Sequence, residues 1–224
     1  MKTKAPIRKS GGISGDIHER ASRIVKILDA EYPESRCSLD FKNPFELLVA
    51  TILSSQCTDA RVNKVTPTLF KKLGTPHAMA RARHEEIEKL IQSTGFYKNK
   101  AAALKESAQA IVQTHRGNVP STLEELTKLR GVGRKTANVV LGNAFGVPGI
   151  PVDTHVSRVA FRLGLTAFND PEKIERDLMM VVPKRQWTHF SHLLISHGRV
   201  ICTARKAYCD KCPVTNLCPK IGVH

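Results

Sequence analysis

The run Leu47-Leu48-Val49-Ala50-Thr51-Ile52-Leu53 constrains this chain more than any other stretch, because wound into a helix it is apolar on every side. Asn43-Pro44-Phe45-Glu46 just before it reads as a helix start. Asparagine can cap the free N–H groups, proline fits the first helical position where no N–H is missed, and an acid stands at the third. A helix without a polar face belongs in an interior, so this one is expected to run through the core of a helical protein.

The remaining chain has the punctuation to supply the surrounding helices. Ala21, Ile24, Val25 and Leu28 fall at helical spacing and predict a first helix running up to Pro33. Thr58-Asp59 restarts a helix that Pro67 is expected to bend or end, and Thr75-Pro76 opens a short one. Further helices are expected over 85–92 and 99–115, and from a capping pair of Ser121 and Glu124 to Lys128. Then come the turn Gly131-Val132-Gly133 and a helix over 134–145, on which Ala137, Val140, Leu141 and Ala144 share one face; two helices joined by so short a glycine turn make a helix-hairpin-helix. Gly146-Val147-Pro148-Gly149-Ile150-Pro151 cannot be helical and reads as an extended connector. Beyond it Asp153 is placed to cap a helix to Leu163, Pro171 opens another to Val182, and 187–197 forms the last. No strand is convincing and no repeat occurs, so the expected fold class is all-α.

Charge narrows the function. With 224 residues, 41% of them hydrophobic, the chain can bury a core, and its formal net charge of +15 points to an anionic partner, nucleic acid before membrane. No apolar run is long enough to span a bilayer. Residues 1–15 hold Lys2, Lys4, Arg8 and Lys9 but no apolar stretch, which reads as a flexible basic tail and not as a signal peptide or an anchor. The Gly131-Val132-Gly133 turn opens a helix and so offers backbone N–H groups to an anion, while Lys135 and Asp153 could supply a nucleophile and a carboxylate beside it.

Four of the six cysteines, Cys202, Cys209, Cys212 and Cys218, crowd into one segment with the spacing C-x6-C-x2-C-x5-C. The residues between them are too polar to pack a core, so a metal or two disulfides must hold the segment. Without an export signal, disulfides are disfavoured. Zinc sites commonly use two close cysteine pairs, and the single C-x2-C here tilts the choice toward an iron–sulfur cluster held by all four thiolates, with zinc left open. Cys37 and Cys57 read as small buried apolar residues, and His189 and His192 have no cysteine or carboxylate near enough in sequence to form a metal site.

These parts together resemble the endonuclease III family, the helix-hairpin-helix DNA glycosylases and abasic-site lyases of base-excision repair. The resemblance runs from about Asp16 onward and is carried by Leu53-Ser54-Ser55-Gln56-Cys57-Thr58-Asp59, Gly131-Val132-Gly133-Arg134-Lys135-Thr136-Ala137-Asn138, Val152-Asp153-Thr154-His155 and the cysteine spacing. It implies a six-helix barrel domain over 37–147, an iron–sulfur cluster domain made of 16–36 and 148–224, and a DNA cleft between them. It also implies a [4Fe-4S] cluster on Cys202, Cys209, Cys212 and Cys218, with Arg205, Lys206 and Lys211 on a basic loop against DNA.

Lys135 matches the family's nucleophile, which attacks C1′ of the damaged nucleotide, and Gln56 matches the residue that fills the gap left by the flipped base. An ammonium cannot attack, so the site must present Lys135 neutral at that moment. Asp153, as a helix cap, is expected to stabilise positive charge growing on the sugar first and to move protons second. Phe96, in the turn Gly95-Phe96-Tyr97, is a candidate wedge beside Gln56, and Gly131, Gly133 and Arg134 are expected to hold the phosphate. The expected activity is excision of oxidised pyrimidines through a Lys135 imine, then a cut 3′ to the abasic site by β-elimination. The partner would be double-stranded DNA carrying damaged bases or abasic sites, met by a monomer in the cytoplasm at the nucleoid. A monofunctional adenine-type glycosylase, which would lack the lysine, and a non-catalytic iron–sulfur DNA-binding protein are the alternatives. Arg130 departs from the proline that often precedes the first hairpin glycine, and is expected to add charge beside the phosphate-binding turn.

Overall fold

The structure, a computed structural model, describes residues 16–223. The expected basic tail over 1–15 lies outside them. Two compact units divide the described residues, 16–36 with 148–223, and Cys37–Val147. In chain order the helices are α1 (Ile17–Glu31), α2 (Pro44–Leu53), α3 (Asp59–Leu73), α4 (Pro76–Arg81), α5 (His84–Ile91), α6 (Tyr97–Thr114), α7 (Leu123–Thr127), α8 (Arg134–Ala144), α9 (Thr154–Arg162), α10 (Pro171–Val181) and α11 (Trp187–Val200). Among the described residues no strand forms, only an isolated antiparallel bridge between Cys202 and Ala207. The fold is all-α, as the punctuation predicts. No helix among the described residues is long and apolar enough to cross a membrane.

In the unit Cys37–Val147 the central helix is α2, buried at every residue from Phe45 to Leu53. Its start is built from two reciprocal bonds: the Glu46 N–H donates to Asn43 Oδ1 at 3.0 Å, and the Lys42 N–H donates to Glu46 Oε2 at 2.7 Å. This is a capping box whose outer bond has moved one residue upstream. The expected break at Pro67 does not occur, for α3 runs on to Leu73. Pro67 is exposed, so water can serve the carbonyl it leaves without a donor, while Val62, Thr66, Leu69 and Leu73 anchor the opposite face in the core. The cap of α7 also lies one residue beyond the expected pair. Thr122 accepts from the Glu125 N–H at 3.3 Å and its hydroxyl reaches Glu125 Oε2 at 3.1 Å, in place of Ser121 and Glu124. Adjacent Ser-Thr and Glu-Glu pairs satisfy the same pattern in two registers, and burial of Leu126 chooses between them.

In the other unit α1 packs against α10 and α11, and α9 against α11. Arg20 of α1, only 8% exposed, spends its guanidinium on the carbonyls of Leu163, Gly164 and Leu217. Those carbonyls lie at the end of α9 and within the cysteine segment just before Cys218, so one buried charge holds α1, α9 and that segment together. α11 is three residues longer than its expected end at His197. A side chain at Gly198 would come within 3.1 Å of both Arg158 and Val159, so this glycine sets how closely α11 lies on α9.

Candidate active site

The hairpin between α7 and α8 is shaped by contacts from α6. Gly131 takes φ +78°, and a Cβ there would stand 2.9 Å from Ala103 Cβ, so both backbone and space demand glycine. Ser107 Oγ donates to the Arg130 carbonyl at 2.7 Å, and the Val132 N–H returns to the Leu129 carbonyl at 3.1 Å. Gly133, extended at φ −89°, is the cap residue of α8 and brings no side chain to its N–H groups. The first backbone bond of that helix runs from the Ala137 N–H to the Gly133 carbonyl at 3.0 Å. The three N–H groups before Ala137 therefore lack helical carbonyls, and a Cβ built on Gly133 meets nothing within 4 Å. Arg134 and Lys135 stand exposed in this first turn. Arg130, next to this turn, pairs through its guanidinium with Glu106 of α6, both side chains being half exposed.

Asp153 belongs to the other unit and caps α9. Its Oδ1 accepts from the N–H groups of His155 and Val156, both at 2.8 Å. This leaves Oδ2 as the oxygen that can face a ligand. Arg158, one turn along, was not singled out by the sequence. Its Nε donates to the Cys202 carbonyl at 3.1 Å, its Nη2 donates to the Gly198 carbonyl at 2.8 Å, and the same Nη2 lies 3.2 Å from His155 Nδ1. The guanidinium thus ties the first turns of α9 to the end of α11 and to the first cysteine of the loop.

Gln56 and Phe96 share an unusual backbone. Gln56 has φ +51° and Phe96 φ +47°, left-handed conformations that only a minority of non-glycine residues adopt, and both side chains are exposed. Phe96 leaves 63% of its surface to solvent just ahead of α6. An aromatic so displayed is not a core residue.

The four clustered cysteines line one cavity together with Arg162 and His197. Among the described residues no three His, Cys, Asp or Glu side chains converge as a single bound ion would require. Arg162 Nη1 stands 3.4 Å from Cys202 Sγ, the Lys220 N–H donates to Cys218 Sγ at 3.4 Å, and His197 Nε2 lies 3.6 Å from Cys212 Sγ. Burial pushes the Cys212 thiol up to about 11, with Cys218, Cys202 and Cys209 near enough to raise it further. Burial also holds the His197 ring down at about 4, hence neutral, with Tyr32 Oη 3.0 Å from its Nδ1. When the tyrosine donates to Nδ1, the ring carries its proton on Nε2, facing the sulfur. Arg205, Lys206 and Lys211 are exposed on this loop, with Lys206 Nζ 5.2 Å from the Tyr208 ring centroid. His189 pairs with Asp29 at 2.6 Å. Cys37 and Cys57 are partly buried against the core of their unit.

The structure therefore collects Gly131, Gly133, Arg134 and Lys135 on one hairpin, and the four cysteines around one cavity. The sequence model of the HhH-GPD superfamily base excision DNA repair protein matches residues 49–184. The chain is similar to endonuclease III of Synechocystis sp., 52% identical over 202 residues that make up 90% of this chain and 92% of that one. It is also similar to endonuclease III of Bacillus subtilis, 47% identical over 188 residues, 84% of this chain and 86% of the other. Among solved structures it resembles a trapped endonuclease III–DNA covalent intermediate in an estranged-adenine complex. That match has a TM-score of 0.85 and 44% identity and covers 90% of this chain and 95% of that one.

Proposed function

The chain belongs to the endonuclease III family of the HhH-GPD superfamily of base excision DNA repair proteins, whose members are bifunctional DNA glycosylases and abasic-site lyases, and we propose that Lys135 and Asp153 carry both of its reactions on oxidised or ring-saturated pyrimidines. The observation that supports this reading is Lys135 exposed in the first turn of α8, behind a glycine turn whose N–H groups have no side-chain cap. A DNA phosphate seated on those N–H groups would hold the backbone beside a primary amine. Gly131, Gly133 and Arg134 bind that phosphate, and Gly133, with open space where a side chain would be, lets the phosphate approach the backbone.

In the first step Lys135 Nζ attacks C1′ of the extruded nucleotide, the bond from C1′ to the base nitrogen breaks, and the base departs with a proton. Positive charge grows on the sugar as the base leaves, and Asp153 Oδ2 opposes it, while Oδ1 stays committed to the helix cap. The remaining amine proton passes to O4′ as the C1′–O4′ bond breaks, which opens the sugar ring and leaves an imine. Removal of a C2′ proton then breaks the C3′–O bond, which cuts the strand 3′ to the lesion, and water releases the lysine. Gln56 and Phe96 fill the space the nucleotide vacates, and Arg205, Lys206 and Lys211 contact phosphates.

The cysteine loop fits a [4Fe-4S] cluster. Each iron of such a cluster takes one thiolate, so four cysteines lining one cavity match its ligand count. Cys202, Cys209, Cys212 and Cys218 would hold it, and when bound it supplies a covalent fastening for a polar loop that has little apolar area of its own. Purified protein is expected to absorb visible light and to contain about four irons per chain. A colourless protein with one zinc would reverse this assignment. The activity is tested with duplexes that each carry one defined lesion: oxidised and ring-saturated pyrimidines should be excised and the strand cut, and intact duplex throughout would leave only a binding protein.

A further inference from the structure

Lys100, at 6% exposure, is the one buried lysine among the described residues, and the reaction outlined above makes no use of it. Its Nζ donates to the Leu53 carbonyl and to the Thr94 carbonyl, both at 2.8 Å. Leu53 ends α2 and leads directly into Ser54-Ser55-Gln56, and Thr94 leads directly into Gly95-Phe96. One ammonium therefore grips the roots of the two loops whose exposed tips, Gln56 and Phe96, both sit in left-handed backbone. Such conformations persist only where the surroundings over-determine them.

A lysine needed merely to cap α2 could do so from the surface, where its charge keeps its water. Burial here opposes the charge of Lys100, and the two carbonyls compensate for that loss only by being held together. The same stripe of α6 continues toward the hairpin. Ala103 stands where Gly131 admits no side chain, and Ser107 donates to the Arg130 carbonyl at 2.7 Å. At a rise of about 1.5 Å per residue, Lys100 and Ser107 are roughly 10 Å apart along the helix. α6 thus touches the Gln56 loop, the Phe96 loop and the phosphate-binding turn from a single face.

We propose that Lys100 is a positioning residue for base extrusion: its ammonium locks the Gln56 and Phe96 loops at a fixed separation, so that both side chains enter the duplex as one rigid wedge. The proposal rests on the reading of Gln56 and Phe96 as the residues that fill the gap, and its test separates the two. Full-length protein is mixed with duplexes carrying 2-aminopurine beside the lesion, and the rise in fluorescence gives the extrusion rate. Gln56→Ala and Lys100→Met are each expected to slow extrusion about tenfold, and the double variant also about tenfold, because both changes disable the same wedge. Adduct yield on single-stranded abasic DNA, which has no stack to fill, should be unchanged in Lys100→Met. Lys100→Arg keeps the charge and the donors and is expected to slow extrusion only about threefold, again without adding to Gln56→Ala. It carries the test if circular dichroism finds Lys100→Met unfolded.

A folded Lys100→Met with the wild-type extrusion rate, or losses that multiply to about a hundredfold in the double variant, overturns the proposal while leaving Gln56 in its role. A wild-type rate in Gln56→Ala removes the premise and the proposal with it.

Discussion

Replacing Lys135 with alanine is expected to abolish the covalent protein–DNA adduct that borohydride traps with the wild-type chain, and to lower strand cutting at abasic sites by roughly 10⁴-fold. The size follows from chemistry: without a primary amine at C1′ no imine forms, and without the imine the C2′ proton has no electron sink to activate its removal. Binding should suffer little. Lys135 is exposed and caps nothing, and the N–H groups of the hairpin that would hold the phosphate belong to the backbone. Fluorescence anisotropy on duplexes with a non-reactive abasic analogue should therefore differ by no more than a few-fold from wild type, the loss of one phosphate-proximal charge. An adduct of undiminished yield in Lys135→Ala would place the nucleophile elsewhere in the chain.

Asp153→Asn tests the second residue of the proposed pair, and the cap geometry makes it an unusually clean substitution. Oδ1 accepts two N–H bonds at 2.8 Å, and an asparagine oxygen can accept both, so α9 should keep its start and the protein its melting temperature. Only the negative charge is removed. Base excision in single turnover is expected to fall by about 10²- to 10³-fold, the usual cost of losing one group aimed at charge that develops in the transition state. Affinity for lesion-bearing DNA should hold within a few-fold. Cutting at a preformed abasic site should fall less than excision, since the step that Asp153 assists most is the departure of the base. Equal losses in excision and affinity would reduce Asp153 to a structural cap.

Much of this was legible from the sequence because helix starts are local. Asn43, Thr58, Thr75, Asp153 and Asp170 each accept a hydrogen bond from an N–H two or three residues ahead, and a pattern that short can be read without knowing the fold. The same locality explains two misreadings. At α7 the cap pattern fits in two adjacent registers, and packing of Leu126 decides between them. At Pro67 the sequence shows a breaker but not which face of the helix carries it, and an exposed proline leaves α3 intact. Lys100 could have drawn notice as a lysine in the apolar stripe of α6 that also holds Ala103, Leu104, Ser107 and Ile111. Its two acceptors could not, because they come from the ends of other elements.

By itself the sequence determined the helical class, the hairpin, the cysteine loop and the residues able to attack or carry charge, all of which depend on neighbours a few positions apart. Only the tertiary structure decided what those residues face. Arg130 is paired with Glu106, 24 residues away. Lys100 reaches the Leu53 carbonyl 47 residues back, and Arg158 the Cys202 carbonyl 44 residues on. A charge acts over a few ångströms of space whatever the length of chain between, so its partner is fixed by how the helices pack and not by the order of the residues.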